Sequence, residues 1–250
     1  MVRAARRLLV IAMLPLAGCA TYTTPAGPVN VVDLANTEPE LAAILAREPT
    51  AKFPARIAVV RAQASDYRRY DDGCYGNGYY CVITSRDVED DSDFERLSGL
   101  PMIAGIAPMN RIIVPEHLQS LDDLRTAAAQ LRADMILLYT FDTRFHVEAR
   151  DIGPLQTISL GFFRNRKAHV ATTASLALYD VRTGYLYGLA EATAREDQRA
   201  SLWSTDNAIE TARRSTEQQS FTALLDEFNG VWKDVVETHA LPVVPAVAID

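Results

Sequence analysis

The sequence predicts an α+β fold, in which a mixed β-sheet has helices packed on one face and a long helix follows at the C-terminal end. Three observations lead to this prediction. Between residues 55 and 148, apolar strand-type runs alternate with short capped segments of helical periodicity. Residues 155–197 then carry successive strand-type runs with no helical segment between them. From Asn207 to about His239, apolar residues keep helical spacing.

The first half of the predicted body alternates helices and strands. Capping boxes at Thr37/Glu40, Ser92/Glu95 and Ser120/Asp123 mark three helix starts, because the side chain three residues after the cap can accept the N–H of the cap residue. The predicted elements are a short helix from Thr37, a strand at 55–63, an extended segment at 79–84, a helix from Ser92 to about Ser98, a strand region at 102–115 broken near Pro108, and a helix from Ser120 with Leu121, Leu124, Ala127, Ala128 and Leu131 on one side.

The second half is predicted to be antiparallel and to end in the long helix. Strand-type runs occupy 134–148, 155–162, 169–181 and 185–197, and "RTG" at 182–184 makes a tight turn between the last two. The apolar side of the final helix comprises Ile209, Ala212, Phe221, Leu224, Leu225, Phe228, Val231, Trp232 and Val235, with Gly230 a point where the helix could loosen.

The N-terminus, "MVRAARRLLVIAMLPLAGCA", has the organisation of a secretory signal. A cationic start precedes an apolar run from Leu8 to Ala17 that is too short to span a bilayer as a helix. The sequence Leu16-Ala17-Gly18-Cys19 resembles the lipobox of bacterial lipoproteins. That resemblance implies removal of residues 1–18, acylation of Cys19 and, because Ala20 is not aspartate, an outer-membrane location facing the periplasm, with exposure at the cell surface left open.

The domain organisation predicted from these features has four parts. Residues 1–18 are the signal peptide, 19–36 the lipidated N-terminus and flexible tether, 37–240 a single α+β domain, and 241–250 an extended tail. Removal of residues 1–18 takes three of the 25 basic residues and leaves 22 against 32 acidic ones, a formal net charge of −10. This acidity argues against nucleic acid as a partner.

The stretch "YDDGCYGNGYYC" contains the other two cysteines, Cys74 and Cys81. In an oxidising compartment such a pair normally forms a disulfide, which is the reading we favour. Reversible redox chemistry and metal binding remain alternatives, although the spacing is not C-x-x-C and no second ligand pair lies near.

Five of the ten tyrosines fall within the fourteen residues from 67 to 80. Tyrosine supplies a large rigid contact area at low entropic cost, and a disulfide would pre-organise the loop that carries it. We therefore predict a partner-binding loop, with the alternative that the rings only close the core. Its residues are Tyr67, Tyr70, Tyr75, Tyr79 and Tyr80.

No catalytic, cofactor or phosphate-binding motif occurs in the sequence, so no enzyme, cofactor or metal is predicted. Asp142, His146 and Glu148 share a strand face and could form a metal set with His169. The acidic stretch 87–95 lacks the ligand spacing of a calcium loop and fits a helix start better.

The segment "GFFRNRK" at 161–167 has two interpretations. It is either a basic turn beside core phenylalanines or a contact with anionic lipid.

Two segments, "LRTAAAQLRADMILLYTFDTRF" and "ASLALYDVRTGYLYGLAEATA", carry a resemblance to known envelope proteins. The chain is similar in layout, over about residues 50–238, to the rhombotarget lipoproteins. More remotely it resembles the curli-secretion-channel and penicillin-binding-protein-activator lipoproteins, which share a fold related to the N-terminal domain of TolB. The tail lacks the glycine-rich patch, apolar span and basic end of rhombotarget proteins, so their processing is not implied.

These features together predict a non-enzymatic, outer-membrane-anchored lipoprotein that serves as a binding or assembly subunit of an envelope complex. The membrane is contacted through acyl chains, and an envelope protein is the expected partner. The alternatives are an envelope metal-dependent hydrolase using Asp142, His146 and His169, and a homo-oligomeric lipoprotein like the secretion channel.

Overall fold

A mixed β-sheet forms the centre of the structure. The structure is a computed structural model, and it describes residues 41–65, 74–149, 166–200 and 205–240. Its strands are β1 (Ala55–Ala64), β2 (Tyr80–Ile83), β3 (Ile103–Pro108), β4 (Met135–Ala149), β5 (Arg166–Asp180) and β6 (Leu186–Ala200). The helices are α1 (Leu41–Leu45), α2 (Asp91–Ser98), α3 (Leu121–Gln130) and α4 (Thr205–His239). The α+β class, the mixed sheet and the long C-terminal helix are as the sequence predicts.

The strand order is β2-β1-β4-β5-β6, and β3 also pairs with β1. Strand β1 runs parallel to β3 and β4 and antiparallel to β2, while β4, β5 and β6 form an antiparallel meander. On the edge opposite β4, strand β3 pairs with residues 55–59 of β1 and β2 pairs with residues 61–64. Two strands therefore share one edge of β1, and they separate near Val60.

Helices cover both faces of the sheet, so the expectation that they would lie on one face is wrong. Ala58 and Val60 of β1 pack in the same core cluster as Leu124 of α3. Ile57 and Val59 pack in a second cluster with residues of α2 and α4. The physical reason is that β1 and the start of β4 are continuous apolar runs, and such strands are buried on both faces and need cover on both.

Helix α4 packs along β5 and β6 with the apolar side that the sequence predicts. All nine residues of that side are buried or pack against the buried cluster. The indole N–H of Trp232 donates to the carbonyl oxygen of Pro101 at 2.8 Å, which ties the helix to the loop before β3. A Cβ on Gly188 would lie 2.5 Å from the Cγ1 of Val231, so the helix approaches β6 closely at this glycine. The helix continues through Gly230.

The capping predictions have mixed outcomes. Helix α3 begins after Ser120, whose N–H donates to the Oδ2 of Asp123 at 3.0 Å, as predicted. Helix α2 begins after Asp90 and not at Ser92, because the Oδ2 of Asp93 accepts the N–H of Asp90 at 3.0 Å. Asp90 and Asp93 offer the same spacing as the predicted box, two residues earlier.

The remaining described elements agree with the prediction apart from residues 109–115. The turn 182–184 joins β5 to β6, and Gly184 has a φ of +70°, which favours glycine. Residues 109–115, expected as the second part of a strand region, contain a turn at 111–113 and no strand. The predicted cap at Thr37/Glu40, the strand at 155–162, residues 161–165 and the tail 241–250 lie outside the described residues. None of the described helices is both long enough and apolar enough to cross a membrane.

Candidate functional site

The separation of β2 from β3 opens a cavity, which we call the notch. It has a volume of about 260 Å³ and lies beside Val59, Val60 and Arg61 of β1, between Ile83 at the end of β2 and Pro108 at the end of β3. The residues that line it include the buried Arg61, Glu89 and Tyr139, together with Phe94 and Met109.

Below the notch lies a buried ionic cluster centred on Arg61 and Arg213, whose side chains are each 1% exposed. The Nη2 of Arg61 is 3.1 Å from the Oε2 of Glu217, and the Nη1 of Arg61 is 3.3 Å from the Oε1 of Glu89. Arg213 contacts the same Glu217 oxygen at 2.6 Å. Its Nη2 is also 2.7 Å from an oxygen of Glu210. The cluster therefore joins β1, α4 and the loop before α2.

Hydroxyl groups and an aromatic ring complete the surroundings of the cluster. Thr143 donates to the Oε1 of Glu217 at 3.2 Å and shares a hydrogen bond of 2.9 Å with Thr172. The guanidinium carbon of Arg61 lies 4.4 Å from the centroid of the Phe141 ring. Buried charges are tolerated when they are paired and hydrogen-bonded in this way, and removal of one partner leaves an expensive charge behind.

Glu89 connects the cluster to the notch. The hydroxyl of Tyr139 donates to the Oε1 of Glu89 at 2.9 Å, the same oxygen that Arg61 contacts. Burial, followed by the negative charge of Glu89, raises the pKa of Tyr139 well above its ordinary value, so the phenol stays protonated and keeps donating. The Oε2 of Glu89 is buried and has no hydrogen-bond partner among the described residues.

The predicted loop forms a compact structure that we call the clip, residues 74–81. A disulfide joins Cys74 to Cys81, with a Cα–Cα distance of 5.3 Å. Tyr75 of the clip and Val82, the residue that follows the clip, exchange two backbone hydrogen bonds of 2.9 Å, so the chain doubles back on β2. Cys81 is fully buried, which fixes one end of the clip in the core.

The clip is held against residues 116–118 by backbone hydrogen bonds. The N–H of Asn77 donates to the carbonyl of Glu116 at 2.8 Å, and the N–H of Tyr80 donates to the carbonyl of Leu118 at 3.2 Å. Between them, Gly78 approaches so closely that a Cβ on it would lie 2.0 Å from the carbonyl oxygen of Leu118. These contacts fix the position of the clip relative to residues 116–118.

The predicted tyrosines separate into two groups. Tyr79 is 74% exposed, whereas Tyr75 is half-buried and Tyr80 packs against the core cluster that contains α3. Tyr67 and Tyr70 lie outside the described residues. Among the described tyrosines of the loop, Tyr79 is therefore the one that a partner could contact over most of its ring, and the expected alternative of core closure describes Tyr80.

Arg111 connects the clip to the notch. Its guanidinium carbon lies 5.6 Å from the centroid of the Tyr75 ring, and its Nε donates to the Oγ1 of Thr84 at 3.0 Å. Thr84 lines the notch. The next residue, Ile112, is 91% exposed. The clip, the turn at 111–113 and the notch therefore lie along one edge of the sheet, which we call the clip edge.

Sequence reasoning missed the notch and the ionic cluster. A usable signal was present, because Arg61 interrupts the apolar run "IAVVRAQ", and Arg213 and Glu217 are four residues apart on the apolar side of α4. The acidic stretch 87–95 does not converge on a cation site. Glu89 contacts Arg61, and Asp93 caps α2.

Three of the four residues proposed for a metal set lie together, since oxygens of Glu148 are 4.0 Å from the Nε2 of His146 and 3.7 Å from the Nε2 of His169, but Asp142 lies apart from them. Asp142 pairs with Arg144 at 3.0 Å. His146 lies opposite His169 in the β4–β5 register, whereas Asp142 lies opposite Thr173, about 13 Å further along the strands. The Nδ1 of His169 is 2.6 Å from the Oδ1 of Asp197. Within the described ranges, no group of three or more histidine, cysteine, aspartate or glutamate side chains is placed to hold a metal ion.

No protein-family model and no curated protein matches the sequence. Similar solved structures include a minor lipoprotein from Acinetobacter baumannii, at 6% identity and a TM-score of 0.35 over 72% of this chain and 93% of that one. Rare lipoprotein B from Shewanella oneidensis has 8% identity and a TM-score of 0.35 over 72% and 98% of the two chains. A PelC dodecamer from Paraburkholderia phytofirmans has 14% identity and a TM-score of 0.28 over 69% and 94%. Scores this low assign neither a family nor a function, and the resemblance to the rhombotarget and curli-channel groups is not confirmed.

Proposed function

We propose that this chain is a non-enzymatic lipoprotein, anchored through acyl groups on Cys19 in the outer membrane, which docks a protein partner of the bacterial envelope through its clip edge. Residues 19–36 serve as the tether, residues 37–240 as one body facing the periplasm, and residues 241–250 as an extended tail. The acyl chains hold the chain at the membrane, because two or three buried chains suffice for stable anchoring. The proposed resemblance to rhombotarget and curli-channel lipoproteins is in keeping with an accessory role.

One observation carries the docking part of this proposal. Tyr79 and Ile112 are 74% and 91% exposed. Both belong to segments whose backbones are held in place. The disulfide restrains the segment of Tyr79, and the side chain of Asn110 accepts the N–H of Ile112 at 3.0 Å. Exposed aromatic and apolar side chains beside an arginine are typical of the anchors of protein interfaces. Because their backbones are already ordered, binding would cost less entropy than at a flexible loop.

The test is photo-crosslinking in native cells with the full chain. A photoreactive phenylalanine analogue replaces Tyr79 or Ile112, and the matched control replaces Leu189, which is 60% exposed on β6. We expect adducts with another envelope protein from positions 79 and 112 and none from position 189. Absence of adducts at both clip-edge positions, or equal adducts at position 189, would contradict the docking proposal.

The anchor is tested separately. Mass spectrometry of the native protein is expected to find a chain that begins at an acylated Cys19, and density fractionation is expected to place it with the outer membrane. A Cys19→Ala variant should keep residues 1–18 and carry no acyl group. Recovery of the native chain with its first eighteen residues attached and Cys19 unmodified would refute the anchor, whatever the crosslinking shows.

A further inference from the structure

We propose that the outer edge of β6 is an interaction surface for a second copy of this chain, and that the two β6 strands pair antiparallel about a two-fold axis at Thr193. This inference does not rest on the docking role of the clip edge, because β6 is the last strand at the opposite end of the sheet order. In the proposed dimer the two sheets join into one continuous sheet, and the two clip edges lie at its far ends.

The outer edge of β6 has the features of an edge that can accept another strand. Strand β6 pairs with β5 on one side, and none of the described strands pairs with its other side. It has 15 residues, Leu186–Ala200, whereas strands in globular proteins usually have about 5–6. An edge strand presents a row of unpaired backbone N–H and C=O groups, and in β6 this row is long.

Devices that commonly protect an edge strand are missing from β6. The segment 186–200 contains no proline and no lysine. The irregularity in its pairing with β5 lies at Leu178/Tyr179, next to the turn, and the register is regular over the rest of the strand. Charged side chains can also protect an edge, and β6 has five of them: Glu191, Arg195, Glu196, Asp197 and Arg199. The arrangement of these charges therefore decides whether two copies repel or attract each other.

The charges of β6 complement their own copies in one register. Thr193 is the midpoint of Leu186–Ala200, so a two-fold axis at this residue overlaps the whole strand with its copy. The axis places Glu191 opposite Arg195 of the second copy, and Arg195 opposite Glu191 of the second copy, and opposite charges that face each other across antiparallel strands attract. A shift of the axis to Ala194 would place Glu191 opposite Asp197, and a shift to Arg195 would place two arginines opposite each other.

The side chains of Glu191 and Arg195 are available for these pairs. Both are exposed and lie on the polar face of the sheet. Glu191 accepts the hydroxyl of Ser175 at 3.1 Å. Neither charge has an ion-pair partner within the described ranges. Two ion pairs related by the axis would therefore form without breaking an existing one.

The remaining charges of β6 face neutral side chains in this register, as the pairs Glu196–Ala190, Asp197–Leu189 and Arg199–Tyr187. Asp197 lies diagonally from Glu191 of the second copy, which is the one like-charged neighbour in the arrangement. Its carboxylate is 2.8 Å from the Nζ of Lys167, so that charge is already compensated. The register at Thr193 therefore brings opposite charges into direct contact and leaves no like charges directly opposite each other.

Cysteine crosslinking of the full chain in its native cells tests the register. Residues directly opposite in an antiparallel pair have Cα atoms about 4.5–5.5 Å apart, a distance that a disulfide bridges. Thr193→Cys should therefore give a disulfide-linked dimer on mild oxidation. The matched control is Arg199→Cys, which is also exposed. Its two copies would lie about 40 Å apart, because Arg199 faces Tyr187 and each residue adds about 3.4 Å, so this variant should remain uncrosslinked.

Charge reversal connects the dimer to Glu191 and Arg195. Glu191→Arg and Arg195→Glu should each weaken self-association by about tenfold or more, because each places two pairs of like charges across the axis. Mixed together, the two variants should associate, since the arginines of one chain then face the glutamates of the other. Co-purification of differently tagged full chains measures each combination, and association of the mixture also shows that both variants are folded.

The inference is overturned if Thr193→Cys gives no dimer, or if the two charge-reversal variants associate with themselves as well as with each other. A disulfide from position 193 to a different protein would assign the edge to that protein and would equally overturn self-pairing. A photoreactive residue at position 189 would join two copies of this chain. That product has the mass of two chains and is distinct from an adduct with another envelope protein, so this inference and the docking proposal fail separately.

Discussion

Arg61 of β1 and Glu217 of α4, 156 residues apart in the sequence, form an ion pair in which both side chains are at most 1% exposed. The pair joins the centre of the sheet to the long helix that covers it. Because both charges are buried, removal of one side chain leaves the other charged group in the interior without this partner, which is costly. It therefore makes the attachment of α4 to β1 sensitive to single substitutions.

Replacement of Arg61 by methionine is expected to lower the free energy of unfolding by about 3–5 kcal/mol, because the substitution takes from the buried Glu89 the guanidinium that contacts it and leaves Glu217 with Arg213 alone. Urea denaturation of the purified chain measures the loss. The control, Lys233→Met, removes an exposed pair with Glu237 and should cost at most about 1 kcal/mol.

A double variant tests whether the loss comes from the charge left behind. Arg61→Met combined with Glu217→Gln should be less destabilising than the sum of the two single substitutions, by about 1 kcal/mol or more. Strict additivity would show that Arg61 and Glu217 do not interact energetically.

Such a pair marks the limit of what local sequence patterns predict. The β5–β6 hairpin, the apolar side of α4 and the cap at Ser120 depend on residues close together in the chain, and the sequence predicts all three. The partner of Arg61 depends on how β1 and α4 meet, which no local pattern contains. The notch likewise requires β2 and β3 to share one edge of β1, a fact of topology and not of periodicity.

The sequence prediction is wrong about two features, for different reasons. It places the helices on one face of the sheet, and it begins α2 at Ser92. The apolar runs of β1 and β4 did indicate burial on both faces, but the positions of the helices along the chain did not say which face each would cover. For α2, Asp90/Asp93 and Ser92/Glu95 have the same spacing, and the local pattern does not decide between them. In the predicted loop, the pairing of Cys74 with Cys81 could be predicted from the sequence, whereas neither the tyrosine that is exposed nor the contact with residues 116–118 could.

That contact leads to a prediction about Gly78. Gly78→Ala should destabilise the chain by about 1–3 kcal/mol, because the new methyl group overlaps the backbone of Leu118 and one of the two segments must move. The matched control is Gly105→Ala on β3, where an added Cβ meets no atom within 4 Å. The control should be neutral or stabilise by about 0.5–1 kcal/mol, since alanine restricts the unfolded chain. Thermal unfolding of both variants gives the comparison, and an equal loss in both would contradict the close approach.

The disulfide of the clip gives a third prediction. The double variant Cys74→Ala/Cys81→Ala should lose about 2–3 kcal/mol of stability, because so short a closed loop restricts the unfolded chain by about that amount. In the single variant Cys74→Ser, the thiol of Cys81 should react with an alkylating reagent only after unfolding, since Cys81 is fully buried. Alkylation followed by mass spectrometry checks both statements. Two free thiols at positions 74 and 81 in protein isolated from its native cells would contradict the disulfide.

Asp180 gives a prediction about acid stability. Its side chain closes the β5–β6 turn by accepting the N–H groups of Arg182 and Thr183 at 2.8 and 3.1 Å, and it also accepts the hydroxyl of Tyr187 at 2.9 Å. Burial alone would raise the pKa of this carboxyl, but these hydrogen bonds, with that from the N–H of Thr50, together lower it below its ordinary value. The folded state therefore holds the carboxylate more strongly than the unfolded chain does.

The sign of the pH dependence follows from that lowered pKa. The stability that Asp180 contributes is complete above the unfolded pKa of about 3.9, and it is lost as the pH falls through the lower folded value. Asp180→Asn should cost about 1–3 kcal/mol at pH 7, because the amide cannot accept all of these hydrogen bonds. In the same variant, the decline of stability in acid should be shallower than in the native chain. Denaturant titrations between pH 2 and 7 measure both effects, with Asp226→Asn, an exposed partner of Arg96, as the control. Identical acid profiles for the native chain and Asp180→Asn would show that the turn carboxylate is not held in its charged form by the fold.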